Sequence, residues 1–115
     1  MSERIWTLAE VKQALPEIIQ ITRAAFDESN AIMMRLDEQI LPENEQEALE
    51  SKLTGILNDW TERITEKGAV VKHLWLVDFD NGQGYYCWQL GEETVMYEHD
   101  YDDVFAGRRP ISEDD

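Results

Sequence analysis

The chain has 115 residues, 25 Asp and Glu against 10 Lys and Arg, a formal net charge of -15, and 43% hydrophobic and 10% aromatic residues. That is one domain of ordinary size, able to bury a core without disulfides, which argues against wholesale disorder. No apolar run reaches the roughly 20 residues of a membrane span. The opening Met1-Ser2-Glu3-Arg4-Ile5-Trp6 lacks the basic-then-apolar order of a secretory leader. The single Cys87 leaves no intramolecular disulfide and no cysteine cage for a metal. The expectation is a soluble, cytoplasmic protein of one domain, helical over 1–68, β-structured with an ordered tail over 69–111, and frayed over 112–115.

The acid is unevenly placed. Residues 73–107 hold eight acids and no Lys or Arg. Phosphate neutralisation needs cations, so nucleic acid is rejected as a partner, and anionic membrane surfaces with it. Basic proteins, cations and metals are attracted instead. The plainer reading is that the charge keeps a small protein soluble.

Thr7-Leu8-Ala9-Glu10 has the form of a capping box, with Trp6 and Val11 placed as a hydrophobic staple. A short helix over Leu8–Leu15 is expected to end before Pro16, which lacks an amide proton and restricts the residue preceding it. A new helix then starts with Pro16 in its first turn. It runs to about Ile40, with Ile19, Phe26, Met33 and Ile40 recurring every seven residues. After Leu41-Pro42, the next helix spans about Glu45–Lys67 with a stripe of Leu49, Leu53, Ile56, Trp60 and Ile64, and Gly68 closes it. The short link makes the two long helices an antiparallel hairpin.

Beyond Ala69 the period changes. Leu74–Asp80 and Gln83–Leu90 flank Asn81-Gly82, a strong hairpin signal. A two-residue turn there pairs Val77 with Tyr86, Trp75 with Trp88 and Asp78 with Tyr85. A turn at Gly91-Glu92 leads into a third strand, Glu93–His99, which sets Val95 beside Trp88, Tyr97 beside Tyr86 and His99 beside Gly84. The apolar face of this sheet packs on the helices. The opposite face, with Leu74, Leu76, Tyr85, Cys87 and Met96, awaits a cover from residues 101–111 or from a second subunit. The expected fold is thus α+β: a long antiparallel helical hairpin with a short N-terminal helix, packed on a three-stranded antiparallel β-meander.

Val77-Asp78-Phe79, Cys87-Trp88-Gln89-Leu90-Gly91-Glu92, Tyr97, His99 and Phe105-Ala106-Gly107-Arg108-Arg109-Pro110-Ile111 stand in an order and spacing that resemble an uncharacterised prokaryotic family, domain of unknown function 2203. Thr7-Leu8-Ala9-Glu10 through Leu15-Pro16-Glu17 resembles that family's opening. The chain departs from the pattern at Asp80, Glu98 and Val104, where the family tends to have Pro, Trp and Gly. The resemblance implies no activity.

Several constellations carry chemistry. Asp78, Tyr85 and Glu98 form one row of the expected sheet with Asp80 a step along, a set of oxygens suited to a divalent cation. The plainer alternative is local hydrogen bonding at a turn beside a solvated Glu98. His99 lies among Glu98, Asp100, Asp102 and Asp103, which favours a charged imidazole, as a proton switch, a metal ligand or a structural hydrogen-bonding group. The expected register places His73 and His99 at opposite ends of one face, against a two-histidine zinc site. Arg108 and Arg109 suit recognition of a carboxylate or phosphate, or neutralisation of the acids at 98–103. Cys87 is expected to be an inert thiol with a raised pKa.

The leading expectation is a non-enzymatic interaction or assembly module that forms a homo-oligomer, with a dimer favoured. It rests on the wide apolar stripes of the helices and on a sheet apolar on both faces. The alternative is a small-ligand or divalent-metal binder using Asp78, Asp80, Tyr85, Glu98, His99, Asp100, Arg108 and Arg109. A metal-assisted hydrolase ranks last. No catalytic residue and no cofactor is expected, and a divalent cation stays open.

Overall fold

The computed structural model describes residues 4–38, 40–103 and 105–112. Two helices, α1 (Leu8–Glu38) and α2 (Glu43–Glu66), form an antiparallel hairpin. Five strands follow: β1 (Val70–His73), β2 (Leu76–Asp80), β3 (Tyr85–Gln89), β4 (Tyr97–His99) and β5 (Arg109–Pro110), with a 3₁₀ turn at Phe105–Gly107 before the last. The sheet is an antiparallel meander in the order β1-β2-β3-β4-β5. The fold is α+β, with five strands where three were expected. From residue 113 onward the expected fraying lies outside the described residues, as does Val104.

The capping box forms at the start of α1. Glu10 N donates to Thr7 Oγ1 at 3.1 Å, and Thr7 N donates to Glu10 Oε1 at 2.9 Å. The expected break before Pro16 does not occur: Pro16 lies inside α1, so there is no separate N-terminal helix. The proline sits on the exposed side. The hydrogen bond it forfeits is therefore lost where water can replace it. The buried stripe of Val11, Leu15, Ile18, Thr22, Ala25, Ser29 and Ile32 runs through the site without interruption, and this packing holds the helix continuous.

The core sits between the first half of α1, the second half of α2 and one face of the sheet. Trp6, Trp60, Phe79 and Trp88 are its largest fully buried side chains. Trp6 packs edge-on against Phe79 with centroids 5.1 Å apart, and its indole donates to Gly68 O at 3.1 Å. Trp60 donates to Thr22 Oγ1 at 2.8 Å, which ties the helices together inside the core. In α2 only Trp60 and Ile64 are buried. The other end of the hairpin extends past the sheet and gives the molecule a length of 55 Å.

The sheet departs from the expected register in two ways. The connection between β2 and β3 is a four-residue loop, so Val77 pairs with Trp88 and Phe79 with Tyr86. Asn81 builds it: its Oδ1 accepts from Gln83 N and Gly84 N, and its own N donates to Gly84 O. This shift of two residues leaves every side chain on its expected face. The next turn shifts by one. It spans Gln89–Glu92, with Glu92 N donating to Gln89 O and Gly91 at φ +108° in the third position. Residues 93–96 are not strand, and β4 pairs Tyr85 with His99, Tyr86 with Glu98 and Cys87 with Tyr97. Against expectation, His99 and Tyr97 therefore belong to the face away from the helices, and Glu98 to the face that meets them.

Two strands have no counterpart in the sequence reading. β1 turns into β2 through Leu74 and Trp75, so these two residues form a turn and do not open the expected strand Leu74–Asp80. Its φ of +66° is held by packing on Trp60 and Phe26, with ring centroids 4.9 and 5.6 Å away. At the other edge β5 pairs Arg109 with Glu98 and Pro110 with Tyr97. Although the register differs, Trp88 and Val95 are both buried in the core cluster, with Trp75 packed against it.

Candidate functional site

Cross-strand pairing of Asp78 with Cys87 and of Tyr85 with His99 puts the side chains of Asp78, Cys87 and His99 together on one face of the sheet. Asp78 and Cys87 are 0% exposed and His99 is 3% exposed. His99 Nε2 lies 2.8 Å from Asp78 Oδ2, and His99 Nδ1 lies 2.8 Å from Asp100 O. A carbonyl oxygen only accepts, so Nδ1 carries a proton. The short contact at Nε2 then requires one further proton between imidazole and carboxylate. Asp78 and His99 form a pair that is neutral as a whole, which suits its burial. Asp78 Oδ1 has no hydrogen-bond partner among the described residues.

Cys87 completes the cluster. Its sulfur, an Asp78 oxygen and a His99 nitrogen lie within 4.8 Å of one another. Burial pushes the thiol pKa up, and the facing Asp78 carboxylate adds to the effect, against a smaller opposing influence of Arg108. Both imidazole nitrogens are engaged, so His99 is not free to take the thiol proton. The cluster is therefore not arranged as a nucleophile with its base.

Aromatic and charged groups wall the site. The Tyr85 ring lies 5.5 Å from the His99 ring and 5.2 Å from that of Tyr101, with Lys72 Nζ 4.4 Å over it. Asp80 Oδ1 accepts from Tyr101 Oη at 2.7 Å and from Gly82 N at 2.9 Å. A cavity of about 150 Å³ opens beside His99, with His73, Leu76, Asp102 and Asp103 in its lining. His73 and His99 thus share one cavity, in contrast to the opposite ends expected for them.

The tail is pinned by its arginines. Arg108 Nη2 donates to Glu92 Oε1 at 2.8 Å and to Cys87 O at 3.2 Å, and the guanidinium lies 4.2 Å over the Tyr97 ring. Burial works against the charge of Arg108, but the hydrogen bond to Glu92 and the negative groups around it raise its pKa overall. Arg109 pairs with Asp100 at 3.1 Å and with Glu98 at 3.9 Å. Both arginines are engaged within the chain, and no carboxylate or phosphate need be supplied to pair them.

Asp78, Asp80, Tyr85, His99 and Asp100 gather in one neighbourhood. Glu98 does not: it faces the other way, beside Tyr86 and Arg109, so the expected row of Asp78, Tyr85 and Glu98 is split. Cys87, absent from the candidate set, stands at the centre. Its place on the Asp78 face was legible from strand alternation, whereas the arrival of His99 was not.

A family model described as "Uncharacterized conserved protein (DUF2203)" matches residues 4–111. The chain belongs to this family. The matched span contains both helices, all five strands and every residue of the Asp78, Cys87 and His99 cluster. No curated protein and no solved structure matches the chain. Among the described residues, no helix is long and apolar enough to cross a membrane.

Proposed function

We propose that this member of the DUF2203 family is a non-enzymatic assembly module that pairs with a second copy of itself through the far end of its helical hairpin. The observation that carries the reading is the fate of one stripe. Ile19 and Phe26 are half-buried, and Phe26 packs on Trp75 at the rim of the sheet. Farther along α1, Met33 is 38% and Met34 51% exposed, and Ile40, in the link beyond the end of α1, is 104% exposed. Apolar side chains left open at the end of a helical hairpin suit the same end of a second hairpin, and two hairpins would complete a four-helix bundle. The other support offered by the sequence is reduced: of the residues expected on the outer sheet face, Leu76 and Cys87 are buried within the chain, while Leu74 and Met96 are exposed.

Sedimentation equilibrium tests this. The wild-type chain is expected to be a dimer at micromolar concentration, and Met33→Glu with Ile40→Glu a folded monomer. Because both copies are acidic, added salt should tighten the dimer, whereas a basic partner of another kind would be released by salt. A wild-type monomer at high protein and high salt would overturn the reading.

A further inference from the structure

We propose that Asp78, Cys87 and His99 form a binding site for one zinc-class divalent ion, entered through the cavity beside His99. The proposal stands apart from the self-association reading and involves no residue of the hairpin end.

The donor set is one carboxylate oxygen, one sulfur and one imidazole nitrogen, all within 4.8 Å of one another. Calcium and magnesium select oxygens, whereas zinc and its neighbours accept this mixture. Each donor comes from a different strand of one sheet, so the positions are set by backbone pairing. The second shell is in place. His99 Nδ1 donates to Asp100 O at 2.8 Å, which orients the ring and leaves Nε2 as the inward nitrogen. Asp78 Oδ1 is buried beside the Cys87 thiol and receives no N–H or O–H among the described residues, which leaves it with capacity to bind a cation. A buried carboxylate oxygen left in this state is costly. To admit the ion, the contact between His99 Nε2 and Asp78 Oδ2, now 2.8 Å, must open to about 3.3 Å. Of the three donors, His99 is the one that borders the cavity of about 150 Å³.

A zinc-class ion takes these ligands as a carboxylate, a thiolate and an imidazole, so two negative charges meet the two positive charges of the ion.

The test is a Co²⁺ titration of the purified full chain, read by absorption. The expected result is a thiolate-to-cobalt charge-transfer band that saturates at one ion per chain and is abolished by Zn²⁺ in competition. Millimolar Mg²⁺ should not displace the ion. In Cys87→Ala the band should vanish and Zn²⁺ affinity fall by about a hundredfold or more, with His99→Gln as a second variant. Should both variants fail to fold, the wild-type band and its stoichiometry still decide. Cobalt bound without a thiolate band, or with many equivalents of equal affinity, would mean adventitious binding to surface carboxylates only and would overturn the proposal.

Discussion

Thr22 Oγ1 accepts a 2.8 Å hydrogen bond from the Trp60 indole at a point where Thr22 is 0% and Trp60 1% exposed. The bond joins α1 to α2 in the middle of the core. Replacing Thr22 by Val keeps the shape and strands the indole N–H away from water. The expected cost is about 1–3 kcal/mol, read as a lower midpoint in urea with an unchanged slope. A variant as stable as the wild type would show that the indole finds another acceptor.

Gly84 lies where β3 meets β4. A Cβ built there would stand 2.5 Å from His99 O, a backbone atom that cannot swing aside. Gly84→Ala should therefore push the strands apart and cost about 1–3 kcal/mol. The amides of β4 should lose hydrogen-exchange protection before those of the helices.

Two exposed carboxylates give the protein an acid-sensitive margin. The pKa of Glu10 is lowered by the backbone hydrogen bond from Thr7, and that of Glu17 by its hydrogen bond and attraction to Lys67. Both sit below the ordinary 4.5 in the folded state. Their contribution is therefore complete above 4.5 and is lost as pH falls through the lower folded values. The double variant Glu10→Ala, Glu17→Ala should melt below wild type at pH 7, and the gap should close as pH falls through the lowered folded values. A gap that persists in acid would place the effect in helix packing and not in charge.

Arg108 is the clasp of the tail, with its side chain 8% exposed and that of its partner Glu92 16% exposed. Removing it leaves Glu92 without its counterion. Arg108→Ala is expected to cost on the order of 3 kcal/mol. Arg108→Lys should recover little, because one Arg108 nitrogen serves both Glu92 and the Cys87 carbonyl while the planar group covers Tyr97. Limited proteolysis would detect the freed tail, with cutting between residues 100 and 108 in the alanine variant.

Most of the fold could be read from local chemistry. Thr7 and Glu10 announced a helix start, Gly68 a helix end, and Asn81-Gly82 a hairpin. Pro16 misled because its exposed setting, a property of the packed molecule, removes much of the cost of a proline inside a helix. β1 was missed because Leu74 and Trp75 are not turn formers; Trp75 holds its unusual backbone with its ring against Phe26 and Trp60 and its carbonyl accepting from Leu90 N. β5 was missed because an Arg-Pro pair has no strand pattern. The candidate site depended on a finer matter. The error of two residues at Asn81–Gly84 was harmless, since strands alternate with period two. The error of one residue at Leu90-Gly91 moved His99 to the face of Asp78 and Cys87 and carried Glu98 away.

β5 also has a consequence for the protein in crowded solution. The outermost strand of the meander is only two residues long, and one of them, Pro110, has no amide proton to offer. Such a border cannot template the addition of strands from neighbouring molecules. Growth of sheets into fibrils is blocked on that side, which leaves β1 as the edge of the sheet with four residues in extended form.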